Sequence, residues 1–356
     1  MEIYNSKLWI EDIDAVIESM PWLSELSGKS VMITGAGGLI CSSIVDVLIR
    51  FNETKSGNIK ILAAGRSEKK INERFGEFAG KSYFIFVPYD ATKTEICTNE
   101  KVDFIIHGAS NASPNSIVKE PVETMMCNFT GLLGLLEYGR KQGAKRLLLI
   151  SSSEVYGKKE NNEPYKEEEY GYIDLLNPRS SYSVGKQAAE TLCVSYSEEY
   201  DLETVIIRPG HIYGPTAAKT DNRVASQWSY AVAGGEDIIM KSDGRQIRSY
   251  CYCLDCASAI LTAMLNGESR CAYNISNPNS VISIKQMAEI LSISAGVKLK
   301  IELPTDEERK GFNPMSNSSL DGTRLNDLGW RACFDAETGF SHTVQILKES
   351  GRCLNN

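Results

Sequence analysis

Short apolar runs alternate with amphipathic helical patterns through the first two thirds of the chain. The runs predict strands at residues 30–34, 59–65, 83–87, 102–109, 146–153 and 203–209, and the patterns between them predict helices around 116–141 and 180–200. Strands that are apolar along their whole length and separated by helices are typical of a parallel sheet covered on both faces. The sequence therefore predicts a doubly wound α/β fold, whose ligand crevice lies at the carboxyl ends of the strands.

A different pattern begins after about residue 215. It predicts helices near 222–235, 254–266 and 283–295 and two short strands, "IRSYCYC" and "AYNIS". We expect a dinucleotide-binding Rossmann domain over residues 29–215 and a smaller mixed α/β cap, mainly substrate-binding, over 216–356. Residues 1–28 are expected to form an N-terminal extension, with a helix that packs on the first domain. The acidic segment 160–170 is expected to be a solvated loop.

Charge and hydropathy narrow the choice of partners. The 356 residues are 42% apolar and carry a net charge of −8, and nucleic-acid binding would require a basic footprint. No apolar run approaches the ~18 residues that a membrane span needs. The acidic, amphipathic start of the chain does not resemble a secretory signal, so we expect a cytoplasmic protein.

Ten cysteines are scattered along the chain, and in a cytoplasmic protein they are expected to be reduced thiols. The only cluster is "CYCLDC", with Cys251, Cys253 and Cys256. It lacks a fourth ligand at regular spacing, so no metal site is predicted. Strand alternation is expected to place Cys251 and Cys253 on the same face of a half-buried strand.

A glycine-rich loop, "TGAGGLIC", follows the first strand and opens a helix. Gly35 permits a tight turn, and Gly38 lets the backbone approach a pyrophosphate at the helix N-terminus. Gly37 stands between them, and Cys41 occupies the usual place of the last glycine, where its small side chain can fill the space between helix and strand. The loop predicts a dinucleotide site; a glycine turn without a ligand is the alternative.

The end of the second strand indicates which dinucleotide is bound. An acidic residue there accepts the ribose 2′-hydroxyl of NAD, whereas an arginine accommodates the 2′-phosphate of NADP. The chain reads "ILAAGRSEKK", with Arg66 and no acidic residue at the strand end. We therefore expect NADP(H) as the cofactor, with NAD(H) as the alternative. If Arg66 contacts no ligand, it belongs to a solvated basic loop.

A tyrosine and a lysine lie four residues apart in "SSYSVGKQAAETL". One helical turn of about 5.4 Å separates Tyr182 from Lys186, so both side chains lie on one helix face. A free tyrosine, with a pKa of about 10, is too weak an acid for proton transfer at neutral pH, and a neighbouring ammonium group is expected to lower that pKa. The preceding strand ends in "ISSSEVYG", whose hydroxyl groups are placed to bond a substrate oxygen.

From about residue 29 to residue 330, these motifs resemble the extended short-chain dehydrogenase/reductase family, specifically its nucleotide-sugar epimerases and dehydratases. The UDP-glucuronate decarboxylase branch is the most similar, through "HGASNASPN", "SSSEVYG", "NPRSSYSVGKQAAETLC" and "GRQIRSYCYCLDCASAI". The resemblance implies that Tyr182 is the acid–base residue and that Lys186 is its partner and a ribose contact. Ser152 takes the place of the family's usual threonine beside the substrate hydroxyl.

The resemblance also implies further ligand contacts. Glu154 matches a carboxylate that assists at the sugar, Arg248 an arginine that meets the anionic part of the substrate, and Asp90 a residue that reads adenine. The implied cofactor contacts are Gly35, Gly37, Gly38, Leu39, Ile40, Arg66, Asp90, Ala109, Lys186, Pro209 and His211; the implied substrate contacts are Asn111, Ser153, Arg223 and Arg248. Alternatively, Glu154 braces the strand end and Arg248 is a surface charge. His211 stands where the decarboxylases carry an asparagine, and we expect a hydrogen-bonded crevice residue rather than a base.

Arg66 indicates NADP(H), and NADPH is the usual cellular reductant, so we favour an NADPH-dependent reductase of a keto-sugar nucleotide. Such an enzyme is expected to serve surface polysaccharide synthesis. The alternative is an epimerase, dehydratase or decarboxylase that returns the hydride to its nucleotide-sugar substrate. A non-catalytic dinucleotide-binding protein is a third possibility on the same fold. A homodimer is expected, with neither nucleic acid nor membrane as a partner.

Overall fold

A computed structural model describes residues 2–302 and 316–353. Its largest element is a seven-stranded sheet in which all neighbouring strands run parallel. In spatial order the strands are β10 (Cys271–Ile275), β6 (Glu203–Pro209), β5 (Arg146–Ile150), β4 (Phe104–His107), β1 (Ser30–Thr34), β2 (Lys60–Gly65) and β3 (Phe84–Pro88). The strand order reverses between β1 and β4, which is where doubly wound sheets bind their ligands. The predicted fold class is confirmed.

Helices cover both faces of this sheet. On one face, α5 (Pro121–Gln142) and α6 (Ser181–Tyr200) enclose an apolar core with residues such as Leu132, Ala189 and Ile206. On the other face lie α1 (Lys7–Glu18), α2 (Leu39–Lys55), α3 (Glu68–Phe75) and α8 (Cys253–Asn266). In the N-terminal segment, Trp9 of α1 is fully buried in the core that α2 and α8 share.

A smaller mixed sheet lies apart from the large one. Its strands are β7 (His211–Tyr213), β9 (Ile247–Tyr252), β11 (Val281–Ser283) and β13 (Asn317–Ser318), while β8 (Ile238–Met240) pairs with β12 (Leu299–Ile301). The accompanying helices are α7 (Val224–Ala233), α9 (Ile284–Ala295), α10 (Thr323–Asp327) and α11 (Ala336–Glu349). The chain returns to the large sheet through α8 and β10, within the segment expected to be mainly cap. Residues 303–315 and 354–356 of that segment lie outside the described residues, and the domain limits stay predictions.

Three local predictions are wrong, each for a physical reason. The helix expected over 116–141 is two helices, α4 (Pro114–Lys119) and α5, because Pro121 begins a new helix rather than continuing the old one. Cys253 is the first residue of α8, so strand alternation ends at Tyr252. The acidic segment is not wholly solvated: Glu167 is buried, and its side chain accepts a hydrogen bond from the backbone amide of Asn274 at 2.9 Å.

The described residues contain neither a candidate metal-ion site nor a candidate membrane-spanning helix. No group of three or more histidine, cysteine or acidic side chains is arranged to hold a metal ion. Within residues 2–302 and 316–353, no helix combines the length and the apolar character that a membrane crossing needs.

Candidate active site

The glycine loop lies between β1 and α2, at the carboxyl edge of the large sheet. Gly35 has φ of +72°, and a Cβ at this position would lie 3.0 Å from the backbone nitrogen of Ala109. Gly38 is the N-cap of α2, and no side chain caps the helix, whose first residues are Leu39 and Ile40. The first-turn amides of a helix are donors without intrahelical partners, and they favour anions. The loop therefore fits the pyrophosphate of a dinucleotide.

Two residues predicted to contact the adenosine end of the cofactor lie on this same edge. Arg66 is exposed directly after β2, and Asp90 is half-buried shortly after β3. Hydrogen bonds from the Thr92 amide (3.0 Å) and hydroxyl (2.8 Å) to the Asp90 carboxylate lower its pKa, and the charge of Arg66 adds to this effect. The two side chains are close enough to interact electrostatically, as residues that share one binding region should be.

Tyr182 and Lys186 lie near the beginning of α6 and are both buried. Lys186 donates a hydrogen bond through Nζ to the carbonyl oxygen of Ile150 at 2.8 Å, and the Ser152 side chain lies close enough to the Tyr182 hydroxyl to lower its pKa. The end of β5 thus holds both side chains. Tyr182, Lys186 and Ser152, predicted from two separate motifs, lie together.

The sequence predicted a lowered pKa for Tyr182, and this prediction is wrong for the protein without a bound cofactor. Burial and the Glu154 carboxylate raise the pKa of Tyr182 to about 12, although Ser152 and Arg223 oppose this rise. The Lys186 ammonium lies 6.0 Å from the centre of the tyrosine ring, and burial lowers its own pKa to about 8. At neutral pH, Tyr182 is therefore a protonated phenol that is suited to donate a proton.

Glu154 lies in a 3₁₀ turn, Ser153–Tyr156, that directly follows the end of β5. Its Oε2 is 3.4 Å from Arg179 Nη1 and accepts a 3.4 Å hydrogen bond from the Ser183 hydroxyl. The carboxylate is close enough to Tyr182 to raise its pKa. Glu154 therefore faces the acid–base centre, and it also braces the loop through Arg179.

His211, Arg223 and Arg248 lie close together in the smaller sheet and the segment that follows β7. His211 pairs with Tyr250 across β7 and β9, and their rings are 5.7 Å apart. Burial, followed by the charges of Arg248 and Arg223, lowers the pKa of His211 to about 3, so its ring is neutral. Its buried Nδ1 has no hydrogen-bond partner within the described residues, and the role of His211 in the crevice stays a prediction.

The two arginines are held differently. Arg248 is only 3% exposed, so the alternative of a surface charge is wrong; it donates to the Ile247 carbonyl at 2.8 Å. Arg223 forms an ion pair with Asp221, whose Oδ2 lies 2.5 Å from Arg223 Nη2. Arg223 acts on the pKa of Tyr182, and both arginines act on the pKa of His211, so Arg223 lies near the acid–base centre and Arg248 lies in the same region as Arg223. Two positive charges at this centre are suited to an anionic substrate.

The remaining predicted contacts lie on the same edge of the sheet, and their roles stay predictions. Ala109 and Asn111 are half-buried in the loop after β4, and the Ala109 amide is 3.3 Å from Thr34 Oγ1. Ser153 opens the 3₁₀ turn, and Pro209 ends β6.

Sequence reasoning missed two residues of this site. Cys127 of α5 is buried close to both Tyr182 and Lys186, yet a lone cysteine in a helix gives no sequence signal. Tyr250 lies beside His211, in the quoted segment "IRSYCYC", where it reads as an ordinary strand residue.

The chain is similar in sequence and fold to known proteins. Residues 31–276 match the model of the NAD dependent epimerase/dehydratase family. UDP-glucuronic acid decarboxylase 5 of Arabidopsis thaliana is 30% identical over 287 residues, which are 80% of this chain and 81% of that protein. UDP-glucuronic acid decarboxylase 1 of Xenopus tropicalis is 28% identical over 331 residues, 92% of this chain and 74% of that protein. The crystal structure of dTDP-glucose 4,6-dehydratase from Bacillus anthracis in complex with NAD has the same fold, with a TM-score of 0.74 at 19% identity, covering 92% of this chain and 98% of that one.

Proposed function

This chain belongs to the NAD dependent epimerase/dehydratase family, and from that membership we propose that it oxidises a nucleotide-linked sugar and returns the hydride to the same sugar. The observation that carries the proposal is that Tyr182, Ser152 and Glu154 lie together where β5 ends, with Arg223 and Arg248 nearby, from the segment after β7 and from β9. This set joins a proton-transfer group to charges that bind an anion. It fits a sugar nucleotide with an oxidisable hydroxyl group and several negative charges.

The residues of the chain provide the proton transfers. When bound, the nicotinamide ring accepts and returns the hydride and, while oxidised, carries a positive charge. Tyr182 takes the proton of the sugar hydroxyl as the C–H bond breaks, and it gives the proton back at the end. A positive charge nearby favours the phenolate and so offsets the burial that raises the pKa of Tyr182. Ser152, whose side chain lies beside the Tyr182 hydroxyl, orients the sugar hydroxyl for this transfer.

We propose UDP-glucuronate as the substrate, because the two relatives described above are UDP-glucuronic acid decarboxylases. Oxidation of C4 gives a ketone, which accepts the electron pair of the C5–carboxyl bond as carbon dioxide leaves. A proton then adds at C5, the hydride returns to C4, and a UDP-linked pentose results. Arg248 and Arg223 bind the diphosphate or carboxylate by charge-assisted hydrogen bonds.

The reductase that the sequence favoured is the second candidate, and one observation supports it. Arg66 is exposed at the end of β2, where NADP-binding proteins accommodate the 2′-phosphate. The relatives favour the hydride-returning reaction, and such an enzyme regenerates its cofactor whichever dinucleotide it binds. Arg66 therefore bears on the choice of cofactor more directly than on the reaction.

A parallel assay separates the two candidates. The purified protein is incubated with UDP-glucuronate and either NAD or NADP, and carbon dioxide and UDP-xylose are followed by mass spectrometry. In the other arm, NADPH absorbance is followed with uridine-, thymidine- and cytidine-linked keto sugars. We expect carbon dioxide release without net cofactor consumption; NADPH oxidation by a keto sugar, with UDP-glucuronate unchanged, would establish the reductase instead.

Mass spectrometry of nucleotides released from the denatured protein identifies any cofactor that is retained.

We also propose that two copies of the chain pair through α4 and α5. An apolar stripe at helical spacing is exposed on these helices and comprises Val118, Val122, Met125, Met126 and Phe129. Such a stripe favours association, and a two-fold axis lets the same surface serve both copies. Met126→Glu is expected to convert a dimer to a monomer in sedimentation experiments, whereas Val224→Glu, an equally apolar-to-acidic change at an exposed site on α7, should not. A monomeric wild-type protein would contradict the proposal.

A further inference from the structure

Three successive residues at the end of β5 and just beyond it lie against three residues of α6, and two of the three pairs are hydrogen-bonded. The pairs are Ile150 with Lys186, Ser151 with Glu190 and Ser152 with Tyr182. The α6 residues are four positions apart, so they follow one another along one helix face. The outer two of these strand residues contact the proposed catalytic pair, and the middle one, Ser151, contacts Glu190.

Ser151 and Glu190 form a short, buried contact. The Ser151 hydroxyl donates to Glu190 Oε1 at 2.5 Å, and the Ser151 amide donates to the Ile207 carbonyl at 2.8 Å, which continues the pairing of β5 with β6. Ser151 is 3% exposed and Glu190 is 8% exposed. Hydrogen bonds to ionised groups in such surroundings are stronger than those between neutral groups. This contact therefore fixes the strand immediately before Ser152.

Arg208 fixes Glu190 in turn. Its Nε and Nη2 donate to the two carboxylate oxygens of Glu190 at 3.0 and 2.6 Å, and the arginine is 2% exposed. The same guanidinium donates to the hydroxyl groups of Tyr156 and Tyr170 and to the carbonyl of Glu167. A guanidinium with this many acceptors is locked in orientation, and so is the carboxylate that it binds.

This network lies beside the acid–base centre without belonging to it. Glu190 and Arg208 line a cavity of about 600 Å³, together with residues such as Thr191, Arg270 and Arg324. None of the residues assigned above to the cofactor, the sugar or proton transfer lines that cavity. Glu190 therefore does not line the proposed site, and it can influence the reaction through Ser151 or through its charge, which acts on Lys186 one turn earlier in α6.

We propose that Glu190, clamped by Arg208, is a positioning residue that holds the end of β5 through Ser151, so that Ser152 meets the hydroxyl of Tyr182. The proposal rests on the proposed function, because it assigns the network to the proton transfer of that reaction. The pair does not touch the substrate. The pair sets the distance between the end of β5 and α6, and the acid–base geometry depends on that distance. Small errors in such geometry lower reaction rates strongly.

Ser151→Ala tests the proposal, since it removes only the hydroxyl group that contacts Glu190 and leaves the pair with Arg208 intact. We expect kcat to fall about tenfold, with KM and cofactor affinity within twofold of the wild type. The pH midpoint of kcat should rise, because a loosened Ser152 stabilises the Tyr182 phenolate less. The matched control is Ser195→Ala on the same helix, whose hydroxyl donates to the Thr191 carbonyl at 2.8 Å; it should change none of these quantities.

Hydrogen exchange supplies a readout that does not depend on turnover. In Ser151→Ala, amides of residues 150–156 should exchange faster than in the wild type and in Ser195→Ala. Unchanged exchange would overturn the proposal, and so would faster exchange with a normal kcat and pH profile, since that result would mean a purely structural role. If the wild type converts no nucleotide sugar, the proposed function has failed, and the exchange comparison alone decides whether Ser151 and Glu190 hold the strand end.

Discussion

The thiol of Cys41 occupies the space that a side chain at Gly108 would need. A Cβ at Gly108 would lie 2.3 Å from Cys41 Sγ, and Cys41 is buried at 3% exposure. In dinucleotide-binding loops the last glycine allows close packing of helix and strand. Here Cys41 of α2 carries a side chain and Gly108, which follows β4, has none. The close approach of α2 to the sheet is therefore preserved.

Gly108→Ala is therefore expected to destabilise the protein by about 1–3 kcal/mol, because it overpacks a buried contact. The measurement is chemical denaturation, with Gly80→Ala as the control, since a Cβ at Gly80 would meet no atom within 4 Å. Adding Cys41→Ala to Gly108→Ala removes the sulfur and should recover at least about 1 kcal/mol, a coupling typical of residues in contact. Strictly additive effects would refute the steric pairing.

Tyr182→Phe should lower turnover by about 10²–10⁴-fold, because it removes the hydroxyl group that transfers the proton. Cofactor affinity and the melting temperature should change little, since the buried aromatic ring remains in place. Tyr172→Phe, at an exposed position, is the control for loss of a hydroxyl group. A Tyr182→Phe enzyme that keeps most of its turnover would exclude Tyr182 as the acid–base group.

Glu154→Gln should move the pH profile of turnover to lower pH. The Glu154 carboxylate raises the pKa of Tyr182, so its neutralisation makes the phenolate available at lower pH. The position of the profile reports this effect even where kcat itself falls because Glu154 also assists at the sugar. Glu160→Gln, exposed in the loop after β5, should leave the profile in place. A profile that stays fixed in Glu154→Gln would show that the titrating group is not Tyr182.

Much of the fold follows from local sequence patterns, because a buried parallel strand needs a continuous apolar run and a covering helix needs an apolar face. The strands over 30–34 and 203–209 were predicted to the residue for this reason. The short strands β11 and β13 have three and two residues, too few to show a period. Their pairing with β9 depends on tertiary contacts.

The residues of the candidate site also differ in whether the sequence shows that they lie together. Tyr182 and Lys186 are recognisable because one helical turn joins them. The link from Ser151 to Glu190 spans 39 positions, and that from Glu190 to Arg208 spans 18 positions. Neither spacing has a periodic signature, so only the folded chain brings these groups together. The rise in the pKa of Tyr182 was not predicted for a related reason: its largest cause is burial, which a sequence shows poorly.

His342 is expected to make the stability of the protein depend on pH. Its Nδ1 is 2.9 Å from Oδ1 of the buried Asp12, which raises the pKa of the imidazole above its ordinary 6.5. The ion pair therefore contributes fully below the unfolded pKa of 6.5, and this contribution is lost as the pH rises through the higher folded value. It joins α1 to α11, the helices nearest the two ends of the described chain.

His342→Gln should accordingly lower the free energy of unfolding more at pH 6 than at pH 9, by a difference of about 1 kcal/mol or less, since the pair is partly exposed. Denaturation at the two pH values, with Gln345→Ala on the exposed face of α11 as the control, measures it. Asp12 also accepts a hydrogen bond from the Tyr252 hydroxyl at 2.9 Å, which glutamine at 342 leaves intact. An equal loss at both pH values would assign His342 to packing alone.

Arg66→Ala is expected to narrow the difference between NADP and NAD in binding affinity. If the exposed guanidinium meets the 2′-phosphate, one charge-assisted contact of about 1.5–3 kcal/mol corresponds to roughly ten- to a hundredfold in affinity. Calorimetry should show tighter binding of NADP(H) than of NAD(H) to the wild type, and a loss of that preference in Arg66→Ala with NAD(H) binding little changed. Lys69→Ala is the matched control, because this neighbouring cation is exposed on α3 and lies 3.8 Å from Glu73. Tighter binding of NAD to the wild type would instead mean that Arg66 is a solvated charge, and that the Asp90 side of the crevice determines the choice of cofactor.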